Sequence, residues 1–127
     1  MSLALLPLLF MNFLVKPLTG LLGIAFLVVG VAGFFVADGM LLMFQVDTMH
    51  NIVHVVSGLI GLFAFNSSQS YSRWFLILFG LIYGIVTVLG FAAGGDILGL
   101  FQVNIADNYL HLTVAALCLI VGFGSGK

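Results

Sequence analysis

The stretch HNIVHVVSGLIGL, residues 50–62, sets two histidines four positions apart at the start of an apolar run. On a helix, side chains at positions i and i+4 lie on one face. His50 and His54 would therefore share a stripe with Ser57, Gly58 and Gly61. This pattern predicts a buried helix whose inner face is polar at its first turns and small further along.

The rest of the chain is too apolar for a protein that dissolves in water. Its 127 residues are 63% hydrophobic and 6% charged, and the mean hydropathy is +1.34. Soluble domains carry about 25% charged residues. The sequence therefore predicts an integral membrane protein, and its net charge of −1 excludes the basic surface that nucleic acid requires.

Four apolar stretches are long enough to be membrane spans: 18–37, 49–65, 74–94 and 106–123. About 20 residues cross about 30 Å of hydrocarbon, and backbone hydrogen bonding in lipid requires them to be helical. The first fifteen residues contain Pro7 and are short for a span, and no basic segment or cleavage site marks them as a signal peptide. We expect residues 1–15 to form an apolar interfacial segment, and the fold to be an all-α membrane bundle.

The few charges predict an orientation for this bundle. Lys16 and Arg73 precede the first and third spans, and Lys127 follows the fourth. The carboxylates fall in or beside the two opposite loops, at Asp38, Asp47, Asp96 and Asp107. By the positive-inside rule, both termini and the 66–73 loop are cytoplasmic.

The chain also matches itself after a shift of 57 residues. Residues 16–67 and 73–124 share 13 identities over 52 ungapped positions, which can be counted in the printed sequence. The matches include Gly33 with Gly90, Leu41 with Leu98, Phe44-Gln45-Val46 with Phe101-Gln102-Val103, Asn51 with Asn108, and His54 with His111. We interpret the halves as tandem helical hairpins of the same orientation, related by a pseudo-twofold axis along the membrane normal.

The duplication predicts that the second and fourth spans face each other. The stripe on the fourth span reads Asp107, His111, Ala115, Cys118 and Gly122, again polar first and small below. His50, His54, Asp107 and His111 would then converge, flanked by the polar residues Asn51 and Asn108. Helix caps are expected at Asp47 and Asn104, with Asp107 in the capping-box position.

Several roles are open to this cluster. It could be a hydrogen-bond network that joins the halves, with Asp107 pairing with His50. It could hold zinc, copper or iron through His50, His54, Asp107 and His111. His54 and His111 could instead ligate haem or chlorophyll, with Gly58 or Gly61 making room for the macrocycle. A proton or solute path would have to continue along Ser57, Thr87 and Thr113.

The motifs HNIVHVVSGLIGL and DNYLHL (107–112), with a single arginine before the third span, resemble the domain-of-unknown-function family 4383. This is a family of small bacterial four-span membrane proteins, and the resemblance covers about Leu18 to Phe123. A glycine often follows the family's second histidine motif by four residues, where this chain has Ala115. The resemblance implies topology and no activity. No nucleophile with a base and no phosphate loop is visible, so we expect a non-enzymatic accessory or scaffolding subunit among lipid and other membrane subunits.

Overall fold

A computed structural model describes residues 2–126, which form four long helices. They are α1 (Leu6–Gly33), α2 (Thr48–Ser67), α3 (Gln69–Ala92) and α4 (Ile105–Gly124), and a single 3-10 turn precedes α1 at Leu3–Leu5. All four are long and apolar enough to cross a membrane. The predicted all-α membrane fold with four spans is therefore confirmed. Lys127, which entered the orientation prediction, lies outside the described residues.

The first helix differs from its prediction. It begins at Leu6 where the span was expected from residue 18, and it ends at Gly33 where 37 was expected. Membrane helices tolerate an internal proline such as Pro17, and Pro7 lies in the first turn, where its missing N–H is not needed. Met11 and Leu14 pack against the core and stabilise this extension. Residues 6–15 are thus the beginning of α1 and not a separate segment, while an interfacial location for them stays a prediction.

Helices pack in two tight pairs, α1 with α2 and α3 with α4. Glycine makes the approach possible in the first pair, because a Cβ on Gly58 would lie 2.6 Å from the Leu27 nitrogen and 2.7 Å from the Gly23 oxygen. In the second pair, a Cβ on Gly80 would lie 3.0 Å from the Cβ of Cys118. Small residues therefore bring these backbones together, as expected in lipid, where no hydrophobic force drives helices to associate.

Two short β-hairpins close one end of the bundle, which we call the hairpin end. Strands β1 (Met40–Leu41) and β2 (Phe44–Gln45) pair antiparallel, as do β3 (Asp96–Ile97) and β4 (Phe101–Gln102). Leu42 and Leu98 adopt the left-handed conformation in the turns, with φ of 57° and 54°. The ungapped repeat matched Leu41 with Leu98, but the structure gives Leu42 and Leu98 the same conformation. The first loop has one extra residue before its first strand, and the second loop has one extra residue in its turn. The two differences cancel, so an ungapped shift does not detect them.

Side-chain hydrogen bonds tie three helices together at the opposite end. Gln69 Nε2 donates to the Asn12 carbonyl at 2.7 Å, and Arg73 Nε donates to the Ser125 carbonyl at 3.2 Å. The Gly126 N–H donates to Asn12 Oδ1 at 2.6 Å. These bonds hold the early turns of α1 against the start of α3 and the end of α4.

Candidate functional site

Three buried histidines meet in the first two turns of α2 and α4. His50, His54 and His111 are 1%, 7% and 2% exposed. Their ring centroids are 4.5 Å apart for His50 and His54, 5.6 Å for His50 and His111, and 6.0 Å for His54 and His111. One nitrogen from each ring lies within 4.8 Å of the other two. The structure therefore brings these predicted site residues together, and we call them the histidine triad.

Helix caps set the depth of the triad. The His50 N–H donates to Asp47 Oδ1 at 2.8 Å, so α2 begins at Thr48. Asn104 and Asp107 form a capping box at the start of α4. The predicted caps are confirmed. Because both helices start at corresponding residues, His54 and His111 lie at the same distance from their helix starts.

Aromatic rings enclose the triad on two sides. Phe26 and Tyr83 stack with centroids 5.0 Å apart and planes 6° apart. Phe26 packs against His54 at 5.8 Å, and Tyr83 packs against His111 at 5.3 Å. Phe101 of β4 stacks on His50 at 4.9 Å. Helical spacing gave no sign of these three aromatics, although the shift of 57 residues that pairs His54 with His111 also pairs Phe26 with Tyr83.

Asp107 is not a member of the triad, which corrects the predicted four-residue metal set and the expected pairing with His50. Its Oδ2 accepts the N–H of Asn104 at 2.9 Å and the N–H of Gln45 at 3.2 Å. In the other half, Asp47 Oδ2 accepts the N–H of Gln102 at 2.9 Å. Each hairpin thus donates a backbone N–H to a carboxylate at the start of a helix in the other half. These hydrogen bonds connect the two halves.

Asn51 lies between α2 and α1, and Asn108 lies between α4 and α3. They were expected to flank the triad where the two halves meet, and they do not. A Cβ on Gly33 would overlap Oδ1 of Asn51, and a Cβ on Gly90 would overlap Oδ1 of Asn108. Both side chains are buried, and neither Oδ1 accepts a hydrogen bond from any residue that the structure describes. Each asparagine therefore fills the space that a glycine on the neighbouring helix leaves open.

The triad does not form the hydrogen-bond network that one hypothesis required. Five of its six ring nitrogens are buried and have no hydrogen-bond partner among residues 2–126. The backbones of Gln45 and Gln102 lie near the His50 ring but do not meet hydrogen-bond geometry. A buried polar group left unsatisfied costs about 1–3 kcal/mol. The rings consequently offer several lone pairs or N–H groups to a ligand.

The room expected for a macrocycle beside Gly58 and Gly61 is filled. The α1 backbone occupies the space at Gly58, and a Cβ on Gly61 would lie 2.9 Å from Cζ of Phe75. His54 and His111 also contact each other directly, with ring centroids 6.0 Å apart. The packing therefore fits an ion and not haem or chlorophyll.

The residues expected to continue a transport path do not line up below the triad. Tyr83 Oη donates to Ser57 Oγ at 3.2 Å, and Thr87 Oγ1 donates to the Tyr83 carbonyl at 2.8 Å. Thr113 is exposed on the outer surface of α4, where it donates to the Tyr109 carbonyl. Toward the opposite end the interior is occupied by apolar side chains such as Leu76 and Phe79. This arrangement fits a closed binding site better than a channel.

Fold and site together describe a four-helix integral membrane protein with a buried histidine triad near one end. The chain belongs to the family described as domain of unknown function DUF4383, whose match covers residues 16–124. This confirms the resemblance drawn from the sequence motifs. No curated protein and no solved structure gave a match.

Proposed function

We propose that this protein is a non-enzymatic membrane protein that binds one transition-metal ion through His50, His54 and His111. One observation carries the proposal: five of the six ring nitrogens are buried with no partner in the described part of the chain, and one from each ring lies within 4.8 Å of the others. Imidazole is a common ligand of zinc, copper and iron. Binding would satisfy nitrogens that are otherwise unpaired.

The distances suit a small ion after a modest adjustment. Bonds of 2.0–2.1 Å in a trigonal arrangement require nitrogens about 3.5 Å apart. In the structure these nitrogens lie up to 4.8 Å apart, so they would have to approach one another by about 1 Å. Rotation of imidazole rings about their side-chain bonds can supply that difference without moving the helices, because χ2 of histidine has a broad energy minimum.

A purely structural role for the triad is less well supported than ion binding. The halves are already connected by the bonds from Gln45 to Asp107 and from Gln102 to Asp47. Packing alone would be served by apolar side chains of similar volume, which avoid the cost of unsatisfied nitrogens. Histidines in this position are therefore better explained by a ligand.

We further propose that the protein acts as an accessory subunit of a larger membrane assembly, with lipid and other membrane proteins as its partners. The beginning of α1 supports this role. Together with the 3-10 turn before it, it presents exposed apolar side chains at the end away from the hairpins: Leu3, Leu5, Leu6, Leu8, Leu9 and Phe10. Such side chains can pack against lipid or against a neighbouring span.

Metal analysis of the purified protein tests the proposed ion binding. We expect one zinc or copper ion per chain after titration in detergent, and loss of that ion in His54→Ala and His111→Ala. Thr113→Ala is the matched control, because Thr113 lies on α4 but outside the triad, and it should retain the ion. Absence of stoichiometric metal from the wild-type chain, or a haem or chlorophyll absorption band, would contradict the proposal.

A further inference from the structure

Methionines are concentrated at the hairpin end, and one of them, Met49, directly precedes His50 of the triad. Three of the five in the chain fall within ten residues, in the segment GMLLMFQVDTMH that ends at His50. Met40, Met43 and Met49 are 38%, 66% and 41% exposed. These methionines are thus partly exposed at the surface of the bundle, whereas the three histidines of the triad are buried.

The first hairpin carries two of these methionines to the start of the helices that hold the triad. Met40 pairs with Gln45 in the β1–β2 ladder, and the Gln45 N–H is bound to Asp107 of α4. The Gln45 backbone also lies near the His50 ring. Asn104 Nδ2 donates to the Met43 carbonyl at 3.0 Å, which holds the turn over the start of α4.

The charge of the triad's surroundings favours an ion of low charge. Three imidazoles provide neutral ligands, and the group contains no carboxylate. The carboxylates of Asp47 and Asp107 lie outside this group and accept backbone N–H groups instead. The rings that enclose the triad are two phenylalanines and a buried tyrosine, and none of them carries a charge. Because the cost of burying an ion grows with the square of its charge, a monovalent ion is disfavoured far less than a divalent one.

We propose that the ion is monovalent copper, which is captured by the thioethers of Met40, Met43 and Met49 and then bound by His50, His54 and His111. This inference rests on the proposed ion binding and specifies the ion. Thioether sulfur is a soft ligand that selects Cu(I), and imidazole also accepts copper. The transfer exchanges ligands only: copper stays in the +1 state, and neutral imidazoles bind it without losing a proton.

Competition between metals tests the identity of the ion. The full chain in detergent is titrated anaerobically with Cu(I) against a coloured Cu(I) chelator, and separately with Zn(II) against a zinc indicator. We expect one Cu(I) per chain, bound more tightly than Zn(II), and an X-ray absorption edge of Cu(I) with nitrogen ligands. Stoichiometric Zn(II) without Cu(I) binding would overturn this inference and leave the proposed function intact. Binding of neither ion would overturn both.

Uptake kinetics test the role of the methionines. In the triple variant Met40→Leu, Met43→Leu, Met49→Leu, we expect Cu(I) uptake to slow several-fold while the final stoichiometry is unchanged, because the triad is intact. Met11→Leu is the matched control, since Met11 packs at the opposite end of the bundle beside Gly124. Equal uptake rates in the triple variant and the wild type would overturn capture by the thioethers.

Discussion

At the scale of single residues, glycines determine how closely the helices of each pair approach. Gly58 leaves no room for a methyl group, because the added Cβ would meet backbone atoms of α1 that a rotamer change cannot move. Gly84 also lies within a membrane-spanning helix, α3, but it has open space beside it. A Cβ added there would meet only the Cβ of Ala115, at 4.0 Å. Identical substitutions at these positions should therefore have different effects.

Gly58→Ala should lower the free energy of unfolding by about 1–3 kcal/mol, the usual cost of overpacking a filled interior. Gly84→Ala should leave stability within about 0.5 kcal/mol or raise it slightly, because alanine is the better helix former. Thermal unfolding of both variants in one detergent measures the difference. Equal losses of stability at the two positions would contradict the close approach of α1 and α2.

Parts of the candidate site could be predicted at this scale, and parts could not. The repeated Asn-x-x-His spacing places His54 and His111 at matching positions, and the structure brings them together with His50. Helical spacing also put Asp107 on the same face. Spacing could not show that the Asp107 carboxylate accepts a hydrogen bond from the backbone of Gln45, in the hairpin of the other half. The enclosing aromatics carry no signal of their own in the sequence, because the chain has 13 phenylalanines and 3 tyrosines spread over its apolar stretches.

At the scale of elements, the hairpins connect the two helix pairs. β2 is bound to the start of α4 through Gln45 and Asp107, and β4 is bound to the start of α2 through Gln102 and Asp47. Hydrophobicity alone predicts α2, α3 and α4, since each has a continuous apolar run. The strands have only two residues each, which is too short for an alternating pattern to be detected. The early start of α1 was not predicted because Pro7 and Pro17 are residues that usually interrupt a helix.

Asp107→Asn tests this connection. The variant keeps the shape of the side chain but loses the charge that strengthens the bonds from Asn104 and Gln45, so we expect a loss of about 1–2 kcal/mol in stability. Asp38→Asn is the matched control, because Asp38 is exposed and, among the described residues, accepts only the Met40 N–H of its own loop. Chemical denaturation of both variants gives the comparison.

Metal content of the same variant separates the two accounts of Asp107. If Asp107 only connects elements, Asp107→Asn retains the ion with unchanged stoichiometry, because His50, His54 and His111 remain in place. If Asp107 is a ligand, as the sequence pattern suggested, the variant loses affinity for the ion as strongly as His111→Ala does. Folded protein for this measurement is selected by size-exclusion chromatography.

At the scale of the whole molecule, the two ends of the bundle differ in chemistry. The hairpin end carries the four aspartates, the triad, and Met40, Met43 and Met49. The other end carries Arg73, bonded to Ser125, and Lys16, whose Nζ lies 5.8 Å from the centre of the Phe65 ring. Since Lys16 and Arg73 lie at one end, the positive-inside rule predicts that this end faces the cytoplasm. An ion would then reach the triad from the outer side of the membrane.

Cysteine accessibility in intact cells tests this orientation. The native Cys118 is fully buried and should stay unreactive toward a membrane-impermeant maleimide, which makes the wild-type chain a blank. Leu98 at the hairpin end is 73% exposed, and Tyr71 at the start of α3 is 60% exposed. We expect Leu98→Cys to react in intact cells and Tyr71→Cys to react only after the membrane is permeabilised, because the reagent reaches only the outer face. The reverse pattern would place the hairpin end in the cytoplasm, and copper would then have to be captured from the cytoplasmic side.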